Sequence, residues 1–538
     1  MRQPARATYL RTLPAISLFV IGCGERDRLA EGSDAVVIAI RSAPGTLFPP
    51  STANTAETAV ADQIFLKLAA IGEGLNTVGD QGFVPRLAES WEFLDDLTLV
   101  FHLDPSARWH DGQPVIARDV AFTFDLYRDT VVGASARTLL SAIRAVSARD
   151  SLTAEFKFSR AYPEQFYDAT YHMRILPAHR LDTIPRARIS SHPFSRNPIG
   201  TGPYRFIRWE AGSTIELEGV ADHFLMTAGI GRQVWRVVPP GSPVVNQLLT
   251  GEVDLVRVLA REDVELIQES PDVTTVTYPS NAYAYLAFNL RNRRNRGENH
   301  PLFADIRLRR ALASAIDRHA MISAVLDEYA YVPAGPTSRV LRIFSEAERE
   351  PSDTFVTRRL LAESGWQDTD GDGVLDRDGE QLAFDLLLPV SSTSRRRIGV
   401  ILQERLRTFG VLVELVQLEG TTFVSLFEAG EFDAALGSWA QDPSPSSIKQ
   451  TWSTDGSLNY SGYSNPAFDR LVETAIAERD PGVSEENWRR AFEVINADAG
   501  AVWLYSPINV AGVNARLRKF RIRPDQWWTH LHELEVRQ

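Results

Sequence analysis

Few of the 538 residues are spaced for chemistry of their own. The one metal-like run is Asp368-Thr369-Asp370-Gly371-Asp372-Gly373-Val374-Leu375-Asp376. Asp at positions 1, 3, 5 and 9 of that run, with Gly at 6 later in it, copies the start of a calcium loop. Position 12, which should be a bidentate Glu, is Gly379, with Glu380 one place late. Two readings stay open: a structural calcium site on Asp368, Asp370, Asp372 and Asp376, or an acidic hairpin turn before a strand at 382–388. The displaced Glu favours the hairpin. The histidines form no His-Glu-x-x-His pattern, and a lone cysteine, Cys23, leaves no thiolate set for zinc. Trp109-His110-Asp111-Gly112 puts His beside Asp, but neighbours on a strand face opposite sides, so they make a poor acid–base pair. A turn at Asp-Gly is the simpler reading. Gly200-Thr201-Gly202-Pro203 lacks the Lys and the following helix of a phosphate loop, and reads as a backbone turn. No Gly-x-Ser-x-Gly elbow occurs. No catalytic residue, resident metal or cofactor is therefore expected. A hydrolase using paired carboxylates is the outside alternative.

Residues that could hold a molecule are better represented than residues that could transform one. Trp439-Ala440-Gln441-Asp442-Pro443-Ser444-Pro445 follows a strand at 432–438 and starts a loop, where binding groups tend to sit. The plainer reading of Asp442 is an Asp in a Pro-rich turn, with N-capping at Ser444 or Ser446 beyond. Tyr283, Tyr285, Trp452 and Tyr460 are candidate cleft aromatics, and each could equally be core.

The elements that must position these residues alternate irregularly between strand and helix. Strands are expected at 35–40, 253–258 and 411–418, and two more around an Asp95-Asp96 turn within 90–103. Helices are expected at 55–70, 119–128, 243–250, 304–325 and 395–409. Ser242 is placed to N-cap the helix at 243–250, and Gly410 to adopt a left-handed C-terminal cap. The class is α/β in at least two domains, and no repeat suggests a solenoid. With 44% hydrophobic and 23% charged residues the chain is an ordinary globular protein. A net charge of −12 argues against a nucleic-acid partner. The 57 basic residues include only four lysines, Lys67, Lys157, Lys449 and Lys519, a bias read as genomic composition.

Residues 1–22 carry Arg2, Arg6 and Arg11, then a short apolar run, the layout of an export signal too short to span a bilayer. Val20-Ile21-Gly22-Cys23 resembles a bacterial lipobox. That implies lipidation at Cys23 and a polar tether within 23–34. Two or more acyl chains anchor stably where one does not. The expected location is the periplasmic or extracellular face of a bacterial membrane.

Several segments, in order, resemble the family 5 extracellular solute-binding proteins, the peptide and nickel receptors of ABC importers. They include Pro85-Arg86-Leu87-Ala88-Glu89-Ser90-Trp91, Trp109-His110-Asp111-Gly112-Gln113-Pro114, Gly200-Thr201-Gly202-Pro203-Tyr204 and Leu286-Ala287-Phe288-Asn289. Phe303 to Leu312, Ser364-Gly365-Trp366 and Tyr463-Ser464-Asn465-Pro466 follow. The resemblance implies a two-lobed periplasmic-binding-protein-like fold (type II, the large cluster). Lobe I would be 35–277 plus a return at 506–538, with a subdomain at about 58–190 inserted in it. Lobe II would be 278–505. Hinges would fall at 278–281 and 505–508, where Pro279 and Pro507 suit short stiff connections. The family's Asp three residues after the loop Trp matches Asp442 after Trp439, and would pair with a ligand's ammonium. Here one residue fewer separates that Asp from the later Pro. The implied function is a monomeric, lipid-anchored receptor that hands a short peptide to ABC permease subunits. Nickel chelate, oligosaccharide or another small solute is the alternative ligand.

Overall fold

The structure, a computed structural model, describes residues 34–239, 241–348 and 352–537. The export signal, Cys23 and the tether lie outside the described residues. Among those described, no helix is long and apolar enough to cross a membrane.

One strand organises the molecule. Ala501–Asn514 pairs antiparallel with Ala282–Phe288 through its first residues, Ala501 to Tyr505. From Ile508 to Asn514 it pairs instead with Val273–Pro279. The partner changes at Ser506-Pro507, where Ser280 donates its N–H to the Pro507 carbonyl at 2.8 Å. On one side the sheet continues through Ala434–Ala440, Ala383–Pro389 and Leu412–Leu418. On the other it continues through Leu255–Val256, Ala35–Ile40, Arg232–Val237, Thr214–Gly219 and Tyr204–Glu210. A separate four-stranded sheet, Ala88–Asp95, Thr98–Leu103, Thr153–Phe158 and Ile143–Ala148, carries the helix Ala117–Arg128.

The pleat sends alternate residues of each strand to opposite layers. Leu286 and Phe288 pack with Leu312, Ile398, Leu402 and Leu436. Tyr283, Tyr285 and Ala287 join a larger core that also holds Trp235, Phe101 and Phe166. On the far half, Val37 and Val510 pack beneath Val245 and Leu248.

Local boundaries differ from the sequence expectation where tertiary contacts intervene. The first helix is Thr55–Ile64 and stops short of 70. Its terminal Ile64 carbonyl accepts the N–H groups of Thr201 (2.9 Å) and Gly202 (2.7 Å), and the Thr201 hydroxyl accepts the Leu66 N–H. A Cβ on Gly200 or Gly202 would collide with the backbone of Gln63 and Ile64, so this close approach requires glycine. Gly200-Thr201-Gly202 is thus a helix stop rather than a ligand loop. The long helix at 304–325 is two helices, Ile306–Ser314 and Arg318–Leu326. Asp317 N-caps the second by accepting from the Ala320 N–H, and Arg405 donates to the freed Ala315 carbonyl at 2.8 Å. Gly241 rather than Ser242 precedes the helix Ser242–Leu249, with no side-chain capping bond. Gly410 adopts φ +80° after the helix Thr393–Arg407.

A buried ion pair fastens the far end of the long strand. Asp254 accepts from Arg516 Nε and Nη2, both at 2.7 Å, and from the Val37 N–H at 2.8 Å. Arg516 also donates to the Ala35 carbonyl. Removing one partner leaves a buried charge uncompensated. Asp254→Ala is expected to cost about 3–5 kcal/mol of unfolding free energy. Urea denaturation at pH 7 checks this, and a loss below about 1 kcal/mol, the worth of an exposed pair, would contradict it.

Candidate functional site

The strand Ala434–Ala440 lies against Ala282–Phe288 with Trp439 opposite Tyr283 and Ala440 opposite Ala282. The chain then leaves the sheet, and Gln441 pins the departing loop. Its N–H donates to the Asn281 carbonyl at 2.7 Å. Its side-chain oxygen accepts from the Ser338 N–H at 2.7 Å, and its side-chain amide donates to the Pro336 carbonyl at 3.0 Å. Gln441 is buried, so each of these bonds replaces one to water.

Asp442, next in line, projects toward the other half of the molecule. It accepts one hydrogen bond, from the Ser444 N–H at 3.0 Å. Burial pushes its pKa up; His172 and the Ser444 N–H oppose that push, and the carboxylates of Asp168 and Asp525 add to it. After burial, Asp442 raises the pKa of Tyr167, and Asp525 and then Asp442 raise that of Tyr171. The helix Gln165–Tyr171 therefore faces Asp442, and its Tyr167 and Tyr171 rings stack at 4.6 Å. The Lys67 ammonium lies 4.3 Å from the centre of the Tyr171 ring. Burial, then Arg174, pushes the Lys67 pKa down to about 7.

Among the described residues, the buried hydroxyls of Tyr167, and of Thr337 and Ser338 beside Gln441, have no hydrogen-bond partner. An unsatisfied buried polar group costs about 1–3 kcal/mol, so a cluster of them marks a place where stability has been set aside for another task. Carboxylate, stacked aromatic faces and free hydroxyls together suit a cationic ligand group.

A second contact joins the two halves directly. Glu164 is buried and accepts from the Thr77 hydroxyl at 2.6 Å, from Ser444 at 2.8 Å and from Ser446 at 2.6 Å. Burial, followed by the nearby Asp168, pushes its pKa up to about 7 from an ordinary 4.5. Ser444 and Ser446 are thus partners of Glu164 across the interface.

The other residues singled out in the sequence go elsewhere. Tyr283, Tyr285 and Trp452 are 0%, 5% and 2% exposed. Trp452 Nε1 donates to the Tyr283 hydroxyl at 2.9 Å, and its ring packs edge-on against Trp503 at 4.8 Å. Their rings are covered by protein, which replaces the cleft-wall reading with the core reading. Trp439 is half-buried against the same cluster. The Asp-rich run folds as a hairpin, Asp376–Arg377 pairing with Glu380–Gln381 across Asp378 and Gly379, both at positive φ. Asp368, Asp370 and Asp376 bring carboxylate oxygens within 4.8 Å of one another. Asp372 turns away from them, accepting from the Val374 N–H and from Gln381 Nε2. His110 accepts from the Gly200 N–H and meets the Gly202 carbonyl at 2.9 Å, and burial pushes its pKa down to about 4. Asp111 pairs instead with His179 at 3.0 Å, so His110 and Asp111 form no dyad. His530 sits at the N-cap of a short 3-10 turn, Leu531–Glu533, and His532 within it.

Residues 82–460 match the family described as bacterial extracellular solute-binding proteins, family 5 Middle. The chain belongs to this family. It is a solute-binding protein and not an enzyme. Among curated relatives, the oligopeptide-binding protein AppA of Bacillus subtilis is 27% identical over 520 residues, covering 93% of this chain and 92% of AppA. The periplasmic oligopeptide-binding protein OppA of Salmonella typhimurium is 25% identical over 461 residues, covering 79% of each. The solved structure of NikZ from Campylobacter jejuni in complex with Ni(L-His) shares the fold at a TM-score of 0.78 and 20% identity, covering 94% of this chain and 100% of NikZ. The two-lobed architecture of these solute-binding proteins is the one seen here.

The Glu164 contact has a defined pH dependence. Between its ordinary pKa and about 7 the folded protein holds a proton that the unfolded chain releases. Its contribution is therefore fully present below pH 4.5 and is lost as pH rises toward 7. Glu164→Gln, neutral throughout, is expected to gain up to about 3 kcal/mol on the parent protein between pH 5 and pH 8. Melting curves of both proteins across that range check the sign, and parallel profiles would remove Glu164 from the account.

Proposed function

We propose that this solute-binding protein captures a short peptide between its two lobes and delivers it to the membrane subunits of an ABC importer. The observation that carries the reading is the environment of Asp442. Among the described residues no cation lies within ion-pair distance of its carboxylate, yet an unpartnered tyrosine hydroxyl and stacked aromatic rings face it from across the lobe boundary. A peptide's α-ammonium supplies the missing charge. Backbone hydrogen bonds of the strand-addition kind would hold the rest of an extended ligand with loose sequence preference. Trp439, half-buried one turn of chain away, would wall the first side chain. The names of AppA and OppA as oligopeptide-binding proteins support the ligand class.

Lobe I, on this reading, comprises 35–277, with the subdomain at about 58–190, and 506–538; lobe II comprises 278–505. Support comes from the long strand, whose pairing partner changes between Tyr505 and Ile508. Closure is a hinge motion about that crossing and its neighbour at 278–281. The protein acts as an exported monomer, tethered to the membrane through lipid on Cys23.

Asp442→Ala is expected to weaken binding of free-amine peptides by about 100-fold, equivalent to about 3 kcal/mol, and to leave N-acetylated peptides little affected. Titration calorimetry with matched peptide pairs decides, and equal losses for both forms reject the ammonium role. Cys23→Ser is expected to move the protein from the membrane pellet to the soluble fraction of its host. Fractionation with immunodetection reads this, and a variant that stays in the pellet excludes the lipid tether.

A further inference from the structure

We infer that Glu164 is a proton-operated latch between the lobes: closure buries its carboxyl group against Ser444 and Ser446 of the opposite lobe, and the lobes close most readily when Glu164 carries a proton. The inference rests on the lobe boundaries proposed above and not on the identity of the ligand.

Glu164 belongs to the inserted subdomain, at the start of the helix Gln165–Tyr171. One of its oxygens accepts from the Thr77 hydroxyl of the same subdomain at 2.6 Å. The other accepts from Ser444 at 2.8 Å and from Ser446 at 2.6 Å, both on the lobe II loop that carries Asp442. Glu164 is 6% exposed. Parting the lobes removes the two serine donors and returns the carboxyl group to water. Polar contacts that cross the same boundary elsewhere are exposed: Arg342 to Asn76 at 3.1 Å, Arg479 to Asp96 at 4.0 Å and Arg397 to Glu262 at 3.6 Å. Such pairs add little, because water and salt screen them and ordering long side chains costs entropy. Glu164 differs in being buried, so its charge state decides whether the contact favours closure or opposes it.

No cation offsets a negative charge there. Among the described residues Glu164 makes no ion pair. Asp168, one turn on along the same helix, accepts from the Tyr162 hydroxyl at 2.6 Å and lies 3.4 Å from His172. The Tyr167 hydroxyl between them is buried without a partner. Arg160, just before the helix, stacks over the Tyr162 ring at 5.0 Å. The Thr77 segment carries Asp80, which accepts from Trp91 Nε1 at 3.0 Å. From lobe II come Asp442, two residues before Ser444, and Lys449, which pairs with Glu473 at 3.1 Å. Neutral hydroxyls do not replace a counter-ion, so burial, and then Asp168, push the Glu164 pKa up to about 7. Opening returns it toward the ordinary 4.5. Closure at neutral pH therefore takes up a proton. The contribution of Glu164 to closure is fully present below pH 4.5 and is lost as pH rises through about 7. A ligand that binds the closed form inherits the same dependence.

The test follows closure itself, without ligand. The full chain carrying Cys23→Ser has no thiol, and Ser147→Cys in the subdomain with Glu485→Cys in lobe II supplies two exposed sites for a donor and an acceptor dye. Single-molecule energy transfer then reads the ratio of closed to open molecules. In the parent pair that ratio is expected to fall about tenfold or more between pH 5.5 and pH 8. Glu164→Gln, neutral like the protonated acid, is expected to hold the acid-side ratio across the whole range. Glu164→Ala, which removes the contact in both forms, is expected to hold a lower and equally flat ratio. Melting curves confirm that each variant is folded. A parent ratio that ignores pH, or a fall that persists in folded Glu164→Gln, overturns the latch. A dye distance that is the same in every variant at every pH overturns the lobe boundaries as well.

Discussion

The structure depends on one strand that serves both halves of a single sheet. Ala501–Asn514 is continuous, yet its hydrogen-bonding partner is Ala282–Phe288 at one end and Val273–Pro279 at the other. Leu504 and Val510, on opposite sides of the crossing, pack into separate core layers, while Trp503 and Ala511 share one layer that runs past it. The crossing itself is held by a short strand, Ala330–Tyr331, which pairs with Pro507 and Ser506. Pro507 has no N–H to give, and the Ser506 hydroxyl reaches back to the Ala282 carbonyl at 2.9 Å. A change of pairing partner confined to a few residues is where a hinge motion would concentrate its backbone change.

That arrangement explains why costly electrostatics collect at the boundary between the halves. Asp168 and Asp525 bear on Asp442 from across it, and all three are carboxylates. Burial first, with nearby carboxylates adding to it, is why Asp442 and Glu164 are both pushed up. A cation placed among them relieves the repulsion only while the halves are together. A ligand with that property binds the closed arrangement better than the open one, and differential affinity of this kind is what couples binding to closure. Stability is thus lower than the packing would allow, at the place where the ligand is to contribute it.

Much of the fold was legible in the sequence because its ordered motifs do local structural work. Trp109 donates to Asp119, whose other oxygen takes the Ala178 N–H at 2.8 Å. Asn289 donates to the Gly430 and Phe432 carbonyls, and Asn465 N-caps its helix through the Ala467 and Phe468 N–H groups. Such residues announce themselves because each serves a backbone within its own neighbourhood or at a fixed crossing. The errors came where a distant segment overrode local preference, as Thr201 and Gly202 did at Ile64. The site was harder still. Glu164 meets Ser444 across 280 positions, and Tyr167 earns its place only by what stands opposite. Neither carries a spacing or composition signal. Asp442 was readable only through its spacing from Trp439, and the aromatic candidates failed because a strand with hydrophobic layers on both faces turns its tyrosines inward.

The loop after Trp439 divides its tasks residue by residue. Gln441 serves the backbone on either side and holds the loop in place. Asp442 presents charge, and Ser444 does two things at once: its N–H orients the Asp442 carboxylate while its hydroxyl bonds Glu164 in the opposite half. Opening the halves would break the hydroxyl contact and free the residue that aims Asp442.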